Sequence, residues 1–193
     1  MRDAENIRDV ESLGINLMGF IFWPRSLRYV AERSAYMPTE CKRVGVFVDE
    51  KLETIRRIAD DYALDYIQLH GHESREYCAQ LSGLKLIKAI SVSGHDDIAT
   101  YKTYEGLVDY FLFDTKCPSV GGSGQQFDWS VLSAYDGSTP FLLSGGIGPD
   151  DAERVKAFHH SKCIGIDLNS RFELVPGLKD INKLKDFIKE LSI

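Results

Sequence analysis

Short apolar runs and amphipathic segments alternate along the whole chain. Seven runs between turn residues are rich in apolar side chains, which is typical of buried β-strands; they cover residues 17–22, 43–48, 65–70, 85–90, 110–114, 140–143 and 163–167. Segments with helical spacing or a helix-start signal lie around them, at residues 3–13, 32–37, 52–62, 76–81, 96–103, after Trp129, after Pro149 and at 181–191. Because strand and helix alternate every ~20 to 30 residues, the pattern predicts parallel strands joined by crossover helices.

The number of strands narrows this α/β prediction. A TIM (β/α)₈ barrel has eight strands and begins with one, whereas a flavodoxin-like sheet has about five. Here seven strands follow a leading helix. The pattern therefore predicts a TIM barrel whose first strand is missing, with residues 1–193 forming a single, incomplete domain.

Composition excludes several classes of protein. Of the 193 residues, 44% are hydrophobic and 27% are charged, as in a soluble globular protein, and the net charge of −6 argues against a nucleic-acid partner. No apolar run approaches the roughly 18 residues of a membrane span, and the polar first residues do not resemble a signal peptide. The four cysteines are scattered without CxxC spacing, so we expect free thiols, no zinc site and a cytoplasmic location.

The fifth apolar run carries the strongest signal for chemistry. Asp114 stands at its carboxyl end, a glycine-rich loop follows at 121–124, and Asp128 is a candidate N-cap before Trp129. In parallel α/β proteins the carboxyl ends of the strands form the active site, so Asp114 is a candidate catalytic group. The alternative is a buried aspartate that caps its own loop, with the glycines serving only as turn residues.

The exits of the last two strands are candidates for a phosphate site. The segments 144–146 and 167–170 offer glycines and polar residues where (β/α)₈ barrels often bind phosphate through backbone N–H groups. Ordinary turns are the alternative. Arg25 and Arg28 follow the first strand and could pair with a carboxylate, or could be solvated surface arginines.

Other reactive side chains have weaker support. His70 ends its strand and points toward the barrel mouth, although a lone histidine is more often a structural residue. Cys117 has no histidine near it in sequence, so we interpret it as a bystander. Because only His70 and a few carboxylates are available as ligands, a metal site is not expected.

Several motifs together resemble one family. They are Gly19-Phe-Ile-Phe-Trp-Pro-Arg-Ser-Leu-Arg-Tyr29, Val44-Gly-Val-Phe-Val48, Gln68-Leu-His-Gly71, Asp114 with Gly121-Gly-Ser-Gly124, Phe127-Asp-Trp129, Ser144-Gly-Gly146 and Pro176-Gly177. In this order, along the whole chain, they resemble the phosphoribosylanthranilate isomerases. The resemblance implies a TIM barrel of tryptophan biosynthesis that performs an Amadori rearrangement of a small phosphosugar, without cofactor or metal.

The resemblance also implies roles for individual residues. Asp114 matches the general acid that opens the sugar ring, and a closed, low-dielectric pocket would keep it protonated. Substrate-binding roles fall to Arg28, which would meet the anthranilate carboxylate, and to His70 and Asp167. Phosphate-binding positions are matched by Gly122, Gly145, Gly146, Asn169 and Ser170. The loop at 121–124 would exclude water from the imine intermediate.

Two departures from the family pattern change the expectation. Arg171 occupies a position that is often small in the family. The family's first strand ends in Cys-Gly, and that cysteine is the general base, whereas this sequence begins just after it. We therefore expect the chain as written to be impaired, with two exposed strand edges that favour self-association.

Alternatives to this interpretation concern the start of the chain and its function. The reading frame was assigned from an internal methionine, or the chain is a shortened protein that assembles differently; the intact remaining motifs favour the first. For function, the alternatives are a degenerate, non-catalytic sugar-phosphate-binding barrel and a phosphopentose epimerase, which would need metal ligands.

Overall fold

Seven parallel strands form one curled sheet in the computed structural model, which describes residues 1–116 and 126–191. The strands lie in the sheet in chain order, so each one pairs with the next. They are β1 (Leu17–Ile21), β2 (Lys42–Phe47), β3 (Tyr66–Leu69), β4 (Leu86–Val92), β5 (Tyr110–Thr115), β6 (Phe141–Leu143) and β7 (Cys163–Ile166). The seven predicted parallel strands are confirmed, and Asp114 lies next to the last residue of β5.

Helices connect the strands and cover the outer face of the sheet. They are α1 (Ala4–Glu11), α2 (Leu52–Tyr62), α3 (Arg75–Gln80), α4 (His95–Ile98), α5 (Ala152–Ala157) and α6 (Ile181–Leu191), with short 3-10 helices at Ala99–Thr103, Trp129–Ala134, Pro149–Asp151 and Ser170–Phe172. Asp128 caps the second of these, because its carboxylate accepts from the N–H of Ser130. Among the described helices, none is long and apolar enough to cross a membrane.

Two segments differ from the sequence prediction. The short helix expected at residues 32–37 is wrong, because the chain there is irregular. It leads into a loop held by the carboxylate of Glu11, which accepts from the N–H groups of Thr39 and Glu40, both at 2.6 Å. An antiparallel hairpin that was not predicted, β8 (Glu173–Val175) and β9 (Leu178–Lys179), follows β7.

Side chains that alternate along the strands form two separate apolar layers. The outer layer packs under the helices and includes fully buried aromatic rings, at Phe47, Phe111, Phe113 and Phe141. The inner layer is smaller and lines the concave face of the sheet, with Val44, Ile87, Ala89, Leu112 and Leu142. Since side chains point to opposite faces in turn, the inward positions of β3 are Tyr66, Gln68 and, just past its end, His70.

The concave face opens at a seam between β1 and β7, which are the two edges of the sheet as far as the described residues show. Ile164 of β7 is 53% exposed there, and Gly19 of β1 is exposed too. The nitrogen of Met1 donates to the carbonyl oxygen of Gly19 at 2.8 Å. The backbone ahead of α1 therefore runs beside the edge of β1.

A buried ion pair joins β4 to the segment after β3. The ammonium group of Lys88 donates to Glu73 at 2.9 Å and to the carbonyl oxygens of Leu69 and Gly71, with both charged side chains at most 3% exposed. Glu73 also accepts from the N–H groups of Asp49 and Gly71. This network fixes the loop that begins directly after His70.

We expect Lys88→Met to lower the free energy of unfolding by about 3–5 kcal/mol, because it leaves the Glu73 carboxylate buried without its cation. Urea denaturation measures this change. The matched control is Lys42→Met, which removes an exposed lysine paired with Asp65 at 3.0 Å and should cost about 1 kcal/mol or less. Equal losses in the two variants would contradict the importance of the buried pair.

Candidate active site

A cavity of about 610 Å³ occupies the concave face of the sheet and extends from the starts of the strands, at Leu17 and Tyr110, to their carboxyl ends. Three candidate side chains line it from three different parts of the sheet: Arg28 after β1, His70 after β3, and Asp114 on β5. Two backbone turns complete the lining, 144–146 after β6 and 167–170 after β7. The parallel sheet therefore brings together residues that are up to 142 positions apart in sequence, from Arg28 to Ser170, as its topology requires.

Asp114 and His70 contact each other inside this cavity. The Nε2 atom of His70 lies 3.3 Å from Oδ2 of Asp114, and the two side chains are 14% and 16% exposed. The N–H of Thr115 donates to Oδ1 of Asp114 at 2.9 Å. On its other side His70 contacts Gln68, with 2.9 Å between Nδ1 and the amide nitrogen. Asp114 therefore faces the cavity, and His70 is its direct neighbour.

Asp167 follows β7 and faces the same space. It accepts a hydrogen bond from the hydroxyl of Ser144 at 2.8 Å. Burial raises the pKa of Asp167 above its ordinary value, the Ser144 hydrogen bond opposes that shift, and the negative charge of Asp114 adds to it. The cavity therefore holds two carboxyl groups in different environments, one of which is shifted toward its protonated form.

Glycine is required at the turn after β6. Gly145 and Gly146 have φ values of +92° and +68°, in the left-handed region. A Cβ atom on Gly145 would also lie 2.3 Å from the side-chain oxygen of Thr115 and 2.8 Å from its backbone nitrogen. The carbonyl of Gly146 accepts from Gln126 at 3.0 Å and from Arg171 at 3.3 Å. These contacts hold the turn from its outer side.

Backbone donors remain unused where the two turns meet the cavity. Within residues 1–116 and 126–191, the N–H groups of Gly145, Gly146 and Ile147 donate to no other residue, and neither do those of Asn169 and Ser170. Convergent free N–H groups are the feature that binds phosphate oxygens at strand ends of this kind.

Arg28 is held by a residue from the unpredicted hairpin. Its Nε donates to both oxygens of Glu173, at 3.0 and 2.9 Å, and its Nη2 donates to one of them at 2.6 Å. Lys179 lies 3.4 Å from the same carboxylate and donates to the Oδ1 of Asn169 at 2.8 Å. A chain of contacts thus links Arg28 to the turn after β7.

The charges in this group shift one another. Burial alone would raise the pKa of Glu173, but the hydrogen bonds from Arg28 and the charge of Lys179 lower it overall. Burial lowers the pKa of Lys179, and the charges of Glu173 and Asp167 oppose that shift. Two cations face one carboxylate, so the group carries a surplus positive charge beside the cavity.

The remaining sequence candidates divide into two sets. Arg25 is exposed and does not line the cavity, and Arg171 is exposed on the outer side of the glycine turn. Gly122, the rest of the loop at 121–124 and Cys117 lie outside the described residues. Among those that are described, no group of three or more His, Cys, Asp or Glu side chains is arranged to hold a metal ion.

Sequence reasoning missed three polar residues that shape the site: Gln68, Glu173 and Lys179. The sequence does contain a signal for Gln68, because it is a polar residue at an inward position of β3. For the other two, Pro176-Gly177 was available as a hairpin turn signal, since this dipeptide marks turns and Gly177 has a φ of +86°. Their partner Arg28 lies about 145 residues away and cannot be read from local pattern.

Comparison with known proteins identifies the family. The model of the family described as N-(5'phosphoribosyl)anthranilate (PRA) isomerase matches residues 1–190. The N-(5'-phosphoribosyl)anthranilate isomerase of Parabacteroides distasonis is 51% identical over 199 residues, which cover 99% of this chain and 90% of that relative.

Solved structures agree with the sequence comparison. The crystal structure of phosphoribosyl anthranilate isomerase from Thermotoga maritima has a TM-score of 0.86 at 32% identity and covers 100% of this chain and 95% of that one. A second crystal structure, of the isomerase in complex with reduced 1-(o-carboxyphenylamino)-1-deoxyribulose 5-phosphate, has a TM-score of 0.81 at 30% identity and covers 100% and 98%. The chain belongs to the phosphoribosylanthranilate isomerase family.

Proposed function

We propose that this protein rearranges N-(5-phosphoribosyl)anthranilate to 1-(o-carboxyphenylamino)-1-deoxyribulose 5-phosphate, the isomerase step of tryptophan biosynthesis. The observation that carries the proposal is the shared cavity: a carboxyl group, an arginine and two turns with free N–H groups line one space. A substrate with a phosphate at one end and a benzoate at the other matches this distribution of charge.

Asp114 acts as the general acid in this proposal. It transfers its proton to the ring oxygen of the sugar, the bond between that oxygen and C1 breaks, and the anthranilate nitrogen lone pair forms a C=N bond. A base then removes the proton from C2, and the resulting enolamine becomes the ketone. The position of Asp114 on a strand, with contacts to both carboxyl oxygens, supports this role because it fixes the acid against the substrate.

The phosphate and the anthranilate carboxylate take opposite ends of the cavity. Gly145, Gly146, Asn169 and Ser170 bind the phosphate through their N–H groups, and Gly122 adds to this site from the glycine-rich loop. Arg28 binds the carboxylate. Its Nη1 is not used by Glu173, so the guanidinium retains donors for the substrate. Asp167 lies near the substrate's amine, and His70 contacts the substrate beside Asp114.

We propose further that the sheet is a TIM barrel that lacks its first strand, and that a parallel strand fills the seam. The exposure of Ile164 and the hydrogen bond from Met1 to Gly19 support this placement, because residues ahead of Met1 would continue along β1. That strand would bring the cysteine base to the cavity.

Without this strand, residues 1–193 form one incomplete domain with impaired turnover, and the free strand edges favour self-association. We propose that the protein acts in the cytoplasm.

Binding of the substrate's charged ends tests the proposal independently of turnover. The reduced product analogue, 1-(o-carboxyphenylamino)-1-deoxyribulose 5-phosphate reduced at C2, should bind this chain, as measured by anthranilate fluorescence or calorimetry. Gly145→Ala should weaken binding about 10-fold or more, because the new Cβ displaces the phosphate turn.

The control for this experiment is Gly83→Ala. Gly83 also has a positive φ, of +94°, but no atom lies within 4 Å of its Cβ position, and it is far from the cavity. It therefore reproduces the backbone strain without the contact, and its affinity for the analogue should equal that of the unmodified chain. No binding by the unmodified chain, or equal binding by Gly145→Ala, would contradict the proposed site.

A further inference from the structure

We propose that Gln68 and His70 are positioning residues for the general acid: Gln68 holds His70 in its neutral Nε2–H tautomer, and His70 uses that N–H to hold Asp114. The inference rests on the proposed role of Asp114 as the acid. It assigns a role to Gln68, and it gives His70 a contact with the acid in addition to its proposed contact with the substrate.

The tautomer follows from the chemistry of the amide. The group of Gln68 that faces His70 is its amide nitrogen, at 2.9 Å from Nδ1. An amide NH₂ group donates hydrogen bonds and does not accept them, so Nδ1 must present its lone pair. A neutral imidazole then carries its proton on Nε2. That nitrogen is the one that lies 3.3 Å from Asp114.

The carboxyl group of Asp114 is consequently held from both sides. The Nε2 atom of His70 faces Oδ2 at 3.3 Å, and the N–H of Thr115 donates to Oδ1 at 2.9 Å. When Asp114 gives its proton to the substrate, it becomes a carboxylate, and hydrogen bonds to an ionised acceptor are about twice as strong as those between neutral groups. The contact from His70 thus strengthens as the proton leaves, which favours the ring-opening step over the ground state.

The sheet places these three residues with little freedom. Gln68 and His70 are two positions apart, so both point to the concave face. Gln68 lies opposite Val46 of β2 and Ile87 of β4 in the sheet register, and the N–H of His70 donates to the carbonyl of Phe47 at 2.9 Å. Backbone hydrogen bonds to neighbouring strands therefore fix where the amide and the imidazole stand relative to Asp114.

Nitrogen-15 NMR of the full chain reads the tautomer directly. In histidine-labelled protein at a pH where His70 is neutral, we expect its Nε2 to carry the proton and its Nδ1 to be unprotonated, with the signals assigned through His70→Gln. His160 is an internal reference, because its Nδ1 accepts from the N–H of Lys162 and its Nε2 faces the carbonyl of Tyr135. Protonated Nδ1 at His70 in the unmodified chain would overturn the inference.

Two substitutions at Gln68 test whether Gln68 sets the tautomer of His70 or whether His70 would adopt the same tautomer without it. Gln68→Glu replaces the donor with an acceptor, so the proton of neutral His70 should move to Nδ1. Gln68→Met removes the hydrogen bond at similar volume, so both tautomers should appear, as in free histidine. His160 should not change in either variant. A His70 spectrum identical to that of the unmodified chain in both variants would overturn the role of Gln68.

One substitution at Asp114 tests the second contact. The Nε2 proton of His70 should be visible in the unmodified chain and should be lost to solvent exchange in Asp114→Leu, whose side chain has no acceptor. Persistence in Asp114→Leu would overturn the contact. These readouts do not depend on turnover or on analogue binding. A chain with the expected tautomer that fails to bind the analogue contradicts the proposed function alone, and the reverse result contradicts this inference alone.

Discussion

A version of this chain that carries an apolar strand ending in Cys-Gly ahead of Met1 should turn over phosphoribosylanthranilate about 10²–10⁴-fold faster than residues 1–193 alone. The expected gain is the usual contribution of a positioned general acid or base. The seam between β1 and β7 is open along the cavity, and the Met1 nitrogen already bonds to Gly19. A strand in the seam would therefore bring its last residues to the side of the cavity opposite β4 and its neighbour β5. The change in anthranilate fluorescence as the substrate is converted to product measures turnover.

A second extended version separates the base from the strand. With the added cysteine replaced by alanine, the strand should still stabilise the fold, by about 1.5–3 kcal/mol for each apolar side chain that it buries, but turnover should remain low. Equal activity of the extended and unextended chains would refute the cysteine as the base. Binding of the product analogue without turnover in every version would instead indicate a non-catalytic sugar-phosphate-binding barrel.

Asp114→Asn in the extended chain should lower kcat by about 10²–10⁴-fold with a small effect on KM. Asparagine keeps the size of the side chain, and its one amide oxygen can still accept from Thr115, but it has no acidic proton to give to the ring oxygen. The reaction would then stop before ring opening, while the phosphate turns and Arg28 bind as before. Steady-state kinetics and analogue binding together measure the two effects.

Asp60→Asn is the matched control for this substitution. Asp60 is an exposed carboxylate on α2, remote from the cavity, and its loss should leave both kcat and KM unchanged. An Asp114→Asn enzyme with nearly full activity would remove Asp114 from the mechanism. A large rise in KM with unchanged kcat would make it a binding residue instead.

The strands could be predicted from the sequence because most of their side chains are apolar and at least partly buried. Runs such as Leu17–Ile21 and Tyr110–Thr115 therefore stand out as apolar segments between turn residues. The helix expected at 32–37 failed for a different reason. Its neighbouring loop is organised by Glu11, which lies about 28 residues away and takes its backbone N–H groups. Local helical propensity carries no information about such a partner.

The same distinction applies to the site. Asp114, Gly145 and Gly146 could be predicted because position at the end of a strand marks them, and the structure places all three on one cavity. The partnership of Arg28 with Glu173 could not be predicted, because it depends on a hairpin that packs against the loop after β1. A sequence pattern identifies which strand end holds a charged group. It does not identify the countercharge that holds the group in place.

The seam gives the chain a property of practical use. If the seam is the place of the proposed first strand, this sheet would act as the larger half of a split enzyme, and a short synthetic peptide would supply that strand and its thiol. Turnover, measured by the change in anthranilate fluorescence, would then report that the peptide has bound in the seam. Peptide length and register become adjustable variables, with Gly19 and Ile164 marking the two sides between which the peptide must fit.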